Sequence, residues 1–183
     1  KVDAVGEADE SVIHIRGLHK GFGSLVVLNA FDLDLFRGET VVVLGKSGSG
    51  KSVLIKCIIG LLEPDKGIIE VFGENVTELD HQQMDRIRAR VGFLFQSNAL
   101  YDSMTVRENL EFPLRRHWIS LKQEEVDGMV KEALENVGLA HTEQMMPEEL
   151  SGGMRKRIAL ARTLILKPDI ILYDEPTTGL DPI

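Results

Sequence analysis

The feature that most constrains this chain is a glycine-rich loop between an apolar run and a helical segment. The apolar run Thr40–Leu44 predicts a buried strand, and Val53–Leu62 predicts a helix. The loop that joins them consists of Gly45, Lys46, Ser47, Gly48, Ser49, Gly50, Lys51 and Ser52. Glycines allow successive backbone N–H groups to turn inward around anionic oxygens, and a helix N-terminus adds further donors. A strand, such a loop and a helix in this order predict a phosphate-binding site, with a plain surface turn as the alternative.

Two side chains of the loop extend this prediction to nucleotide phosphates. Lys51 is placed to reach the β- and γ-phosphates, and the Ser52 hydroxyl is placed to ligate Mg²⁺. The helix dipole adds partial positive charge at the same end. The loop therefore predicts a site for a nucleotide and Mg²⁺.

The composition limits what such a site can serve. The chain has 183 residues, enough for one domain with its own core, and a net charge of −8. It has no basic cluster of the size expected for a nucleic-acid partner. Its single cysteine, Cys57, excludes a disulfide framework and is expected in the core. No apolar run reaches the roughly 18 residues of a membrane span, and no signal peptide is visible, so we expect a cytoplasmic protein.

Alternating polar and apolar residues predict strands on both sides of the loop. They cover Ser11–Leu18, Leu25–Leu28 and Phe31–Phe36 before it and Gly67–Phe72 after it. Lys1–Glu10 is acidic and non-periodic, which predicts a disordered tail. Alternating strands ahead of a continuous apolar strand predict an antiparallel sheet beside a parallel core.

From residue 97 to residue 166 the pattern becomes helical. Ser120 followed by Gln123 predicts a capping box, and an apolar stripe from Val126 to Val137 predicts an amphipathic helix packed on a core. Ser151 is predicted to cap a further helix. We therefore expect a helical insertion in an α/β chain.

The two apolar strands that flank this helical region both end at polar residues. Val91–Phe95 is followed by Gln96, and Ile170–Tyr173 is followed by Asp174 and Glu175. Ligands of open α/β sheets lie at the carboxyl ends of strands. The Asp174 carboxylate can hold the Mg²⁺ shell, and Glu175 can polarise the attacking water as a general base. With the loop, these residues predict nucleotide hydrolysis.

The segment Leu150–Asp181, which reads LSGGMRKRIALARTLILKPDIILYDEPTTGLD, carries the most specific pattern. It resembles the signature motif, signature helix, second acidic motif and D-loop of the nucleotide-binding subunits of ABC transporters. The resemblance implies a P-loop NTPase (RecA-like) parallel core, an N-terminal antiparallel β subdomain and an inserted helical subdomain. It implies an ABC ATPase domain over residues 11–183, in which 97–166 form the helical subdomain and 11–96 and 167–183 the rest.

The same resemblance implies a site that two subunits complete. Ser151, Gly152 and Gly153 would face the phosphate loop of a second copy, with two ATP molecules held head to tail between the copies. Glycines there allow close backbone approach, and a helix start offers N–H donors. A simple helix N-cap is the alternative.

Single positions carry further implied roles. Gln96 matches the glutamine that senses Mg²⁺ and the attacking water, with an ordinary polar strand end as the alternative. With Ser52 and Asp174 it forms the implied Mg²⁺ set, and with Glu175 the implied catalytic pair. Phe22 matches the aromatic residue that stacks on adenine, and a loop phenylalanine that only packs is the alternative.

The position of the histidines departs from the family pattern. The switch histidine of the family lies on a strand beyond the D-loop, whereas all 5 histidines of this chain precede Asp174. We therefore expect a C-terminally truncated part of a longer subunit, which binds ATP better than it hydrolyses it.

Several stretches are similar to the Mla/Mce-type lipid transport ATPases. They are residues 96–101, 113–117 and 146–150, together with Met154 where glutamine is commoner. The similarity implies an ATPase that powers transport of phospholipid or another lipid, peripheral on the cytoplasmic face of the inner membrane. It implies a transmembrane permease and a lipid-binding Mce-type protein as partners.

The sequence leaves the permease contact and three other functions open. Tyr101, Met104, Leu114 and Trp118 are equally candidates for apolar anchors on the permease and for packing within the helical subdomain. An importer ATPase for another small solute is one alternative function. An ABC-type clamp uncoupled from transport and a P-loop small-molecule kinase are the others.

Overall fold

The computed structural model describes residues 11–46, 48–94, 100–117 and 121–174. The chain divides into two compact units, one ending at Arg88 and the other beginning at Ala89. The tail predicted at Lys1–Glu10 lies outside the described residues.

Among the described residues up to Arg88, four strands form an antiparallel sheet in the order β2-β1-β3-β4. They are β1 (Ser11–Phe22), β2 (Leu25–Phe36), β3 (Lys66–Val71) and β4 (Glu74–Asn75). One face of β1 and β3 forms a core, whose buried side chains include Ile13, Ile15, Leu18, Ile69 and Val71. The predicted antiparallel sheet is therefore confirmed.

The first two strands are longer than the alternation indicated. Leu25–Leu28 and Phe31–Phe36 belong to one strand, because the left-handed conformation of Ala30 (φ 50°) bends β2 without ending it. Leu18 and Lys20 of β1 pair with β2 on either side of this bend. The hairpin therefore extends to its tip as one element.

The helix after the glycine-rich loop is α1 (Lys51–Ile58), which begins and ends earlier than the predicted Val53–Leu62. Gly60 has a φ of +64°, and the N–H groups of the next two residues both bond to the Lys56 carbonyl, at 2.8 and 3.1 Å. Bonds of this kind satisfy carbonyls that the end of a helix leaves open. Cys57 is buried on this helix, as predicted. The next helix is α2 (His81–Arg90), and the boundary between the two units falls within its last turn.

The strand predicted at Thr40–Leu44 does not form. Residues 39–46 have neither helix nor strand, and Val42 and Leu44 are 71% and 88% exposed. A strand exists only when a neighbour pairs with it, and an apolar run specifies burial but no partner. No strand pairing among the described residues includes this run.

In the unit that begins at Ala89, β5 (Val91–Leu94) and β6 (Ile170–Tyr173) pair in parallel. Both form where the sequence predicts them, although Ile171 and Tyr173 are 37% and 45% exposed. Three α-helices lie between them in the described chain, namely α3 (Val106–His117), α4 (Gln123–Asn136) and α5 (Gly152–Leu164). Two short 3-10 helices, Ala140–Thr142 and Pro147–Glu149, lie between α4 and α5. Within the described ranges, no helix has both the length and the apolar character needed to cross a membrane.

The three helices share one apolar core. Its buried members are Val106, Leu110, Leu114, Val126, Val130, Leu134, Leu139, Leu150, Ile158, Ala161 and Ile165. The predicted amphipathic stripe on α4 is confirmed by this core. Leu114 is fully buried, at 0% exposure, so its candidate role as a permease anchor is wrong. The sequence assigned it to the helical subdomain but did not show which side chains the core covers.

The start of α4 differs from the predicted capping box. Ser120 lies outside the described residues, and Lys122 occupies the position before the helix. The Glu125 carboxylate accepts a hydrogen bond from the Lys122 N–H at 2.8 Å. Because α4 begins at Gln123, the residue three positions after the N-cap Lys122 is Glu125.

Candidate nucleotide site

The phosphate loop folds back on itself before α1. The Ser49 N–H donates to the Lys46 carbonyl at 3.1 Å. The Lys51 ammonium donates to the carbonyls of Gly45 and Lys46, at 2.9 and 3.1 Å. The loop therefore holds a positive charge against its own backbone. Ser47, the remaining predicted member, lies outside the described residues.

Gly50 is required by the local fold. It precedes α1 with a φ of +95°, a conformation that L residues with a side chain rarely adopt. A Cβ atom there would lie 2.7 Å from Val27 Cγ1 on β2. Gly48, with a φ of +79°, needs the same left-handed conformation but has open space around it. Glycine at position 50 therefore allows the loop to lie directly on the β1–β2 hairpin.

Ser52 lies in the first turn of α1, where its side chain is half-buried. The positive end of the helix dipole and the N–H groups of this turn favour a bound anion. A hydroxyl oxygen is also a hard donor of the kind that Mg²⁺ accepts. The predicted phosphate and metal contacts of the loop thus lie at one helix end.

Phe22 ends β1 at the tip of the same hairpin, and 48% of its surface is exposed. The Lys20 ammonium lies 5.6 Å from the centroid of its ring. Lys20 in turn forms an ion pair with Asp65 at 2.9 Å. Sequence reasoning identified Phe22 but missed Lys20 and Asp65, which are far apart in the chain and follow no local pattern.

The signature residues begin α5 in the other unit. Ser151 is the N-cap, as predicted, and its Oγ accepts a hydrogen bond from the Met154 N–H at 3.2 Å. Gly152 and Gly153 are exposed, and a Cβ atom added to either would meet no atom within 4 Å. The helix start therefore offers an open backbone surface.

Asp174 directly follows β6, as predicted. Its N–H donates to the Leu94 carbonyl at 3.2 Å, so the parallel pairing reaches one residue beyond the strand. Its side chain is half-buried. Glu175 and Gln96, the two predicted catalytic residues, lie outside the described residues.

A buried polar cluster in the same unit holds the segment around Tyr101. Asn109 is fully buried, accepts from the Tyr101 N–H at 2.8 Å and donates to the Met104 carbonyl at 3.0 Å. The Arg162 guanidinium of α5 lies 4.9 Å from the Tyr101 ring centroid, and burial lowers its pKa. Tyr101 itself is 41% exposed and lies 4.8 Å from the Phe112 ring.

Of the candidate permease anchors, Tyr101 is thus an exposed aromatic residue and Met104 is half-buried. Trp118 lies outside the described residues. Sequence reasoning missed Asn109 and Arg162, since a polar residue within a helical pattern reads as surface.

The structure brings the predicted residues together in two groups. The phosphate loop, Ser52 and Phe22 share the unit that ends at Arg88. Ser151, Gly152, Gly153 and Asp174 share the other unit. A glycine-rich loop that begins a helix, with an acidic residue after a parallel strand, defines the class of P-loop nucleotide-binding proteins.

Within this class the family is specific. Residues 28–178 match the family model described as ABC transporter. The chain therefore belongs to the ABC transporter family.

Two relatives illustrate the range of related proteins. The chain is 47% identical over 171 residues to the probable ribonucleotide transport ATP-binding protein mkl of Mycobacterium leprae, covering 93% of this chain and 49% of that protein. It is 38% identical over 175 residues to the intermembrane phospholipid transport system ATP-binding protein MlaF of Haemophilus influenzae. This match covers 96% of this chain and 66% of that protein. The chain thus spans about half to two thirds of the length of these curated relatives.

A solved structure supports the same fold. The ATP-binding cassette MJ0796, in a dimeric post-hydrolysis state with ADP and Pi bound, matches with a TM-score of 0.82 and 32% identity. The match covers 92% of this chain and 76% of that chain. The fold is therefore that of a P-loop NTPase, with an antiparallel N-terminal sheet and a parallel strand pair, as the sequence predicts.

Proposed function

We propose that the complete protein binds and hydrolyses ATP to power transport across a membrane. The observation that carries the proposal is the phosphate loop, in which Gly50 begins α1 and the Lys51 ammonium lies within 2.9 and 3.1 Å of two loop carbonyls. Phosphate oxygens are stronger partners for this ammonium than neutral carbonyls. Membership of the ABC transporter family makes ATP the nucleotide of choice.

Each site residue has a proposed role in hydrolysis. Residues 45–52 bind the phosphates through backbone N–H groups, and Lys51 contacts the β- and γ-phosphates. The Ser52 hydroxyl, the Asp174 carboxylate and the Gln96 amide are hard oxygen donors that fit Mg²⁺. When bound, Mg²⁺ neutralises charge on the β- and γ-phosphates.

Glu175 is the proposed general base. It accepts a proton from a water molecule whose oxygen attacks the γ-phosphorus while the bond to the ADP oxygen breaks. Gln96 orients this water. Phe22 is the proposed platform for the adenine ring, since an exposed aromatic face stacks on any base.

A second copy of the protein completes the proposed site. Ser151, Gly152 and Gly153 would contact the triphosphate held by the partner's loop, in a head-to-tail dimer. Their exposed backbone at the start of α5 supports this, because a helix N-terminus with little side-chain bulk accepts an anion closely.

The proposed partners place the protein at the cytoplasmic face of the inner membrane. A transmembrane permease would dock on the region around Tyr101, and a lipid-binding Mce-type protein would belong to the same system. We also propose the domain division 11–96 with 167–183 as core and β subdomain, and 97–166 as helical subdomain. The compact units divide differently, since the unit that begins at Ala89 includes β5 and β6 together with the three helices.

Phospholipid or another lipid is the proposed substrate. The identity to MlaF, a protein named for intermembrane phospholipid transport, supports it. Ribonucleotides are the second candidate, because a relative with 47% identity is named a probable ribonucleotide transport protein. The proposed mechanism of ATP hydrolysis is the same for both substrates, because the membrane partners of such an ATPase bind the substrate.

The ATPase proposal is tested on the complete protein with ATP turnover and calorimetry. Glu175→Gln should retain ATP binding and lose turnover by at least about a hundredfold, because only the base is removed. Lys51→Ala should lose both. A Glu175→Gln variant with normal turnover would exclude Glu175 as the base, and unchanged ATP affinity in Lys51→Ala would exclude the loop as the site.

The substrate is tested in cells that lack the gene for the complete protein. Wild-type protein should restore movement of labelled phospholipid between membranes, and Lys51→Ala should not. Restored uptake of labelled ribonucleotide, with lipid movement unchanged, would favour the second candidate instead.

A further inference from the structure

Phe22 lies at the end of β1 with a cation on one side of its ring. The ring is 48% exposed, and the Lys20 ammonium is 5.6 Å from its centroid. An ammonium group within about 6 Å of a ring centroid is attracted to the negative face of the ring. Because the ammonium group occupies one face, a flat partner that stacks on this ring would use the other face.

Lys20 does not hold this position alone. Its side chain is only 15% exposed, and its ammonium forms a 2.9 Å ion pair with Asp65. The other Asp65 oxygen accepts a hydrogen bond from the Gly21 N–H at 2.7 Å, and the Asp65 N–H donates to the His19 carbonyl at 2.8 Å. Asp65 thus bonds to three consecutive residues directly before Phe22.

These bonds keep the Asp65 carboxylate charged. The Lys20 ammonium, and after it the Gly21 N–H, lower the pKa of Asp65. The Asp65 carboxylate is therefore ionised at neutral pH.

Asp65 also links the ring to the phosphate loop. It lies in the turn that follows α1, and α1 begins at the loop. At the opposite end of α1, Gly50 lies against Val27 and Leu28 of β2, the strand that pairs with Phe22. The hairpin that carries the ring thus contacts Gly50 before α1, and it also bonds to Asp65, which lies between α1 and β3.

We infer that Lys20 and Asp65 are positioning residues for the nucleobase, acting through Phe22. Asp65 fixes Lys20, Lys20 fixes one face of the ring, and the opposite face stacks on the base of a nucleotide whose phosphates lie in the loop. This inference rests on the proposed nucleotide binding. It predicts that removing the pair weakens the binding of a nucleotide and does not change the affinity for a phosphate chain that has no base.

The test compares ATP with inorganic tripolyphosphate, by calorimetry on the complete protein. Lys20→Met should weaken ATP binding about threefold, the size of an exposed cation–π contact. Tripolyphosphate affinity should not change, because that probe has no base. Lys20→Arg should restore ATP affinity, since a guanidinium also binds an aromatic face. Asp65→Asn should give a smaller loss, because an amide oxygen still accepts from the Gly21 N–H.

Two controls make the result specific. Lys66→Met removes an exposed positive charge next to Asp65 and should leave both affinities unchanged. In a Phe22→Ala background, which should itself weaken ATP binding about tenfold, Lys20→Met should have no further effect. A thermal melt of each variant checks that it is folded.

Two outcomes overturn the inference while the nucleotide site stands. One is wild-type ATP affinity in Lys20→Met, and the other is equal loss of ATP and tripolyphosphate affinity. If wild-type protein binds neither probe, or Lys51→Ala binds both as tightly as wild type, the proposed function itself fails, and the inference with it.

Discussion

Two helices of this protein begin at glycine-rich motifs, and they begin differently. Gly50 precedes α1 without a side chain to cap it, and the Lys51 ammonium lies against the loop carbonyls. Ser151 precedes α5 and caps it through its own hydroxyl, which accepts from the Met154 N–H. The start of α1 therefore has no side-chain cap. At the start of α5, the Ser151 hydroxyl accepts from one of the N–H groups that the helix leaves open.

The glycines of the two motifs differ in how closely other atoms surround them. A Cβ atom at Gly50 would overlap Val27, whereas one at Gly152 or Gly153 would meet nothing within 4 Å. Among the described residues, the fold therefore requires the first glycine, and no contact requires the other two. The proposed contact with a second copy would require the other two, because it brings the partner's nucleotide against the start of α5.

The largest effect expected on stability is that of Gly50→Ala. We expect the free energy of unfolding to fall by about 2–4 kcal/mol, because the left-handed backbone and the overlap with Val27 both disfavour alanine. Urea denaturation measures it. Gly38→Ala is the matched control, since Gly38 has a φ of +76° but no atom within 4 Å of an added Cβ. Equal losses in both variants would show that the contact with Val27 has no energetic role.

Gly153→Ala should affect ATP turnover and not lower stability, the opposite of what we expect for Gly50→Ala. An alanine in the first turn of α5 should leave the free energy of unfolding unchanged or raise it by about 0.5–1 kcal/mol, because glycine is the poorer helix former. ATP turnover should fall about tenfold, since the methyl group would enter the surface that faces the partner's nucleotide. Normal turnover at normal stability would remove the argument for an external contact.

Ser151→Ala should have a smaller effect on the fold. Loss of the cap should lower the free energy of unfolding by about 1 kcal/mol. Ser151→Asn should restore stability, because asparagine is an equally good N-cap. It should not restore ATP turnover if the hydroxyl also contacts phosphate. Recovery of both together would reduce Ser151 to a helix cap.

The smallest expected effect is a pH dependence of the stability that the Asp65 carboxylate contributes. Asp65 has a lowered pKa, so the stability it contributes is present above its ordinary value of 3.8 and is lost as pH falls through the lower folded value. The difference in urea midpoint between wild type and Asp65→Asn should stay constant from about pH 7 to 5 and shrink below the ordinary value. The difference for Ser151→Ala should not vary, because a hydroxyl does not titrate there. If both differences in urea midpoint changed with pH in the same way, the pH dependence would not come from the Asp65 carboxylate.

Local signals predicted much of this structure correctly. Ser151 caps its helix, Asp174 directly follows a parallel strand, and the alternation before the loop forms an antiparallel hairpin. The cap and the hairpin depend on residues close together in the sequence, and the position of Asp174 depends on the apolar run directly before it. The β1–β2 hairpin and the cap of α5 therefore needed no knowledge of distant contacts.

The errors concern distant contacts. Thr40–Leu44 lacks a paired strand, and the sequence left open whether Leu114 packs in the core, where the structure has it, or contacts a permease. The bond between Lys20 and Asp65 joins residues 45 positions apart, and no periodicity marks it. The roles of Gln96 and Glu175 stay predictions from the sequence.

The most direct test of a site shared by two copies is a mixing experiment on the complete protein. Lys51→Ala lacks a working phosphate loop, and Gly153→Asp places a negative charge where the partner's phosphates would lie. Neither variant alone should hydrolyse ATP. Equimolar mixing should restore about a quarter of wild-type turnover, because half of the dimers would then hold one intact composite site of two. Turnover in the mixture no greater than that of the separate variants would contradict a site built from the loop of one copy and the start of α5 of another.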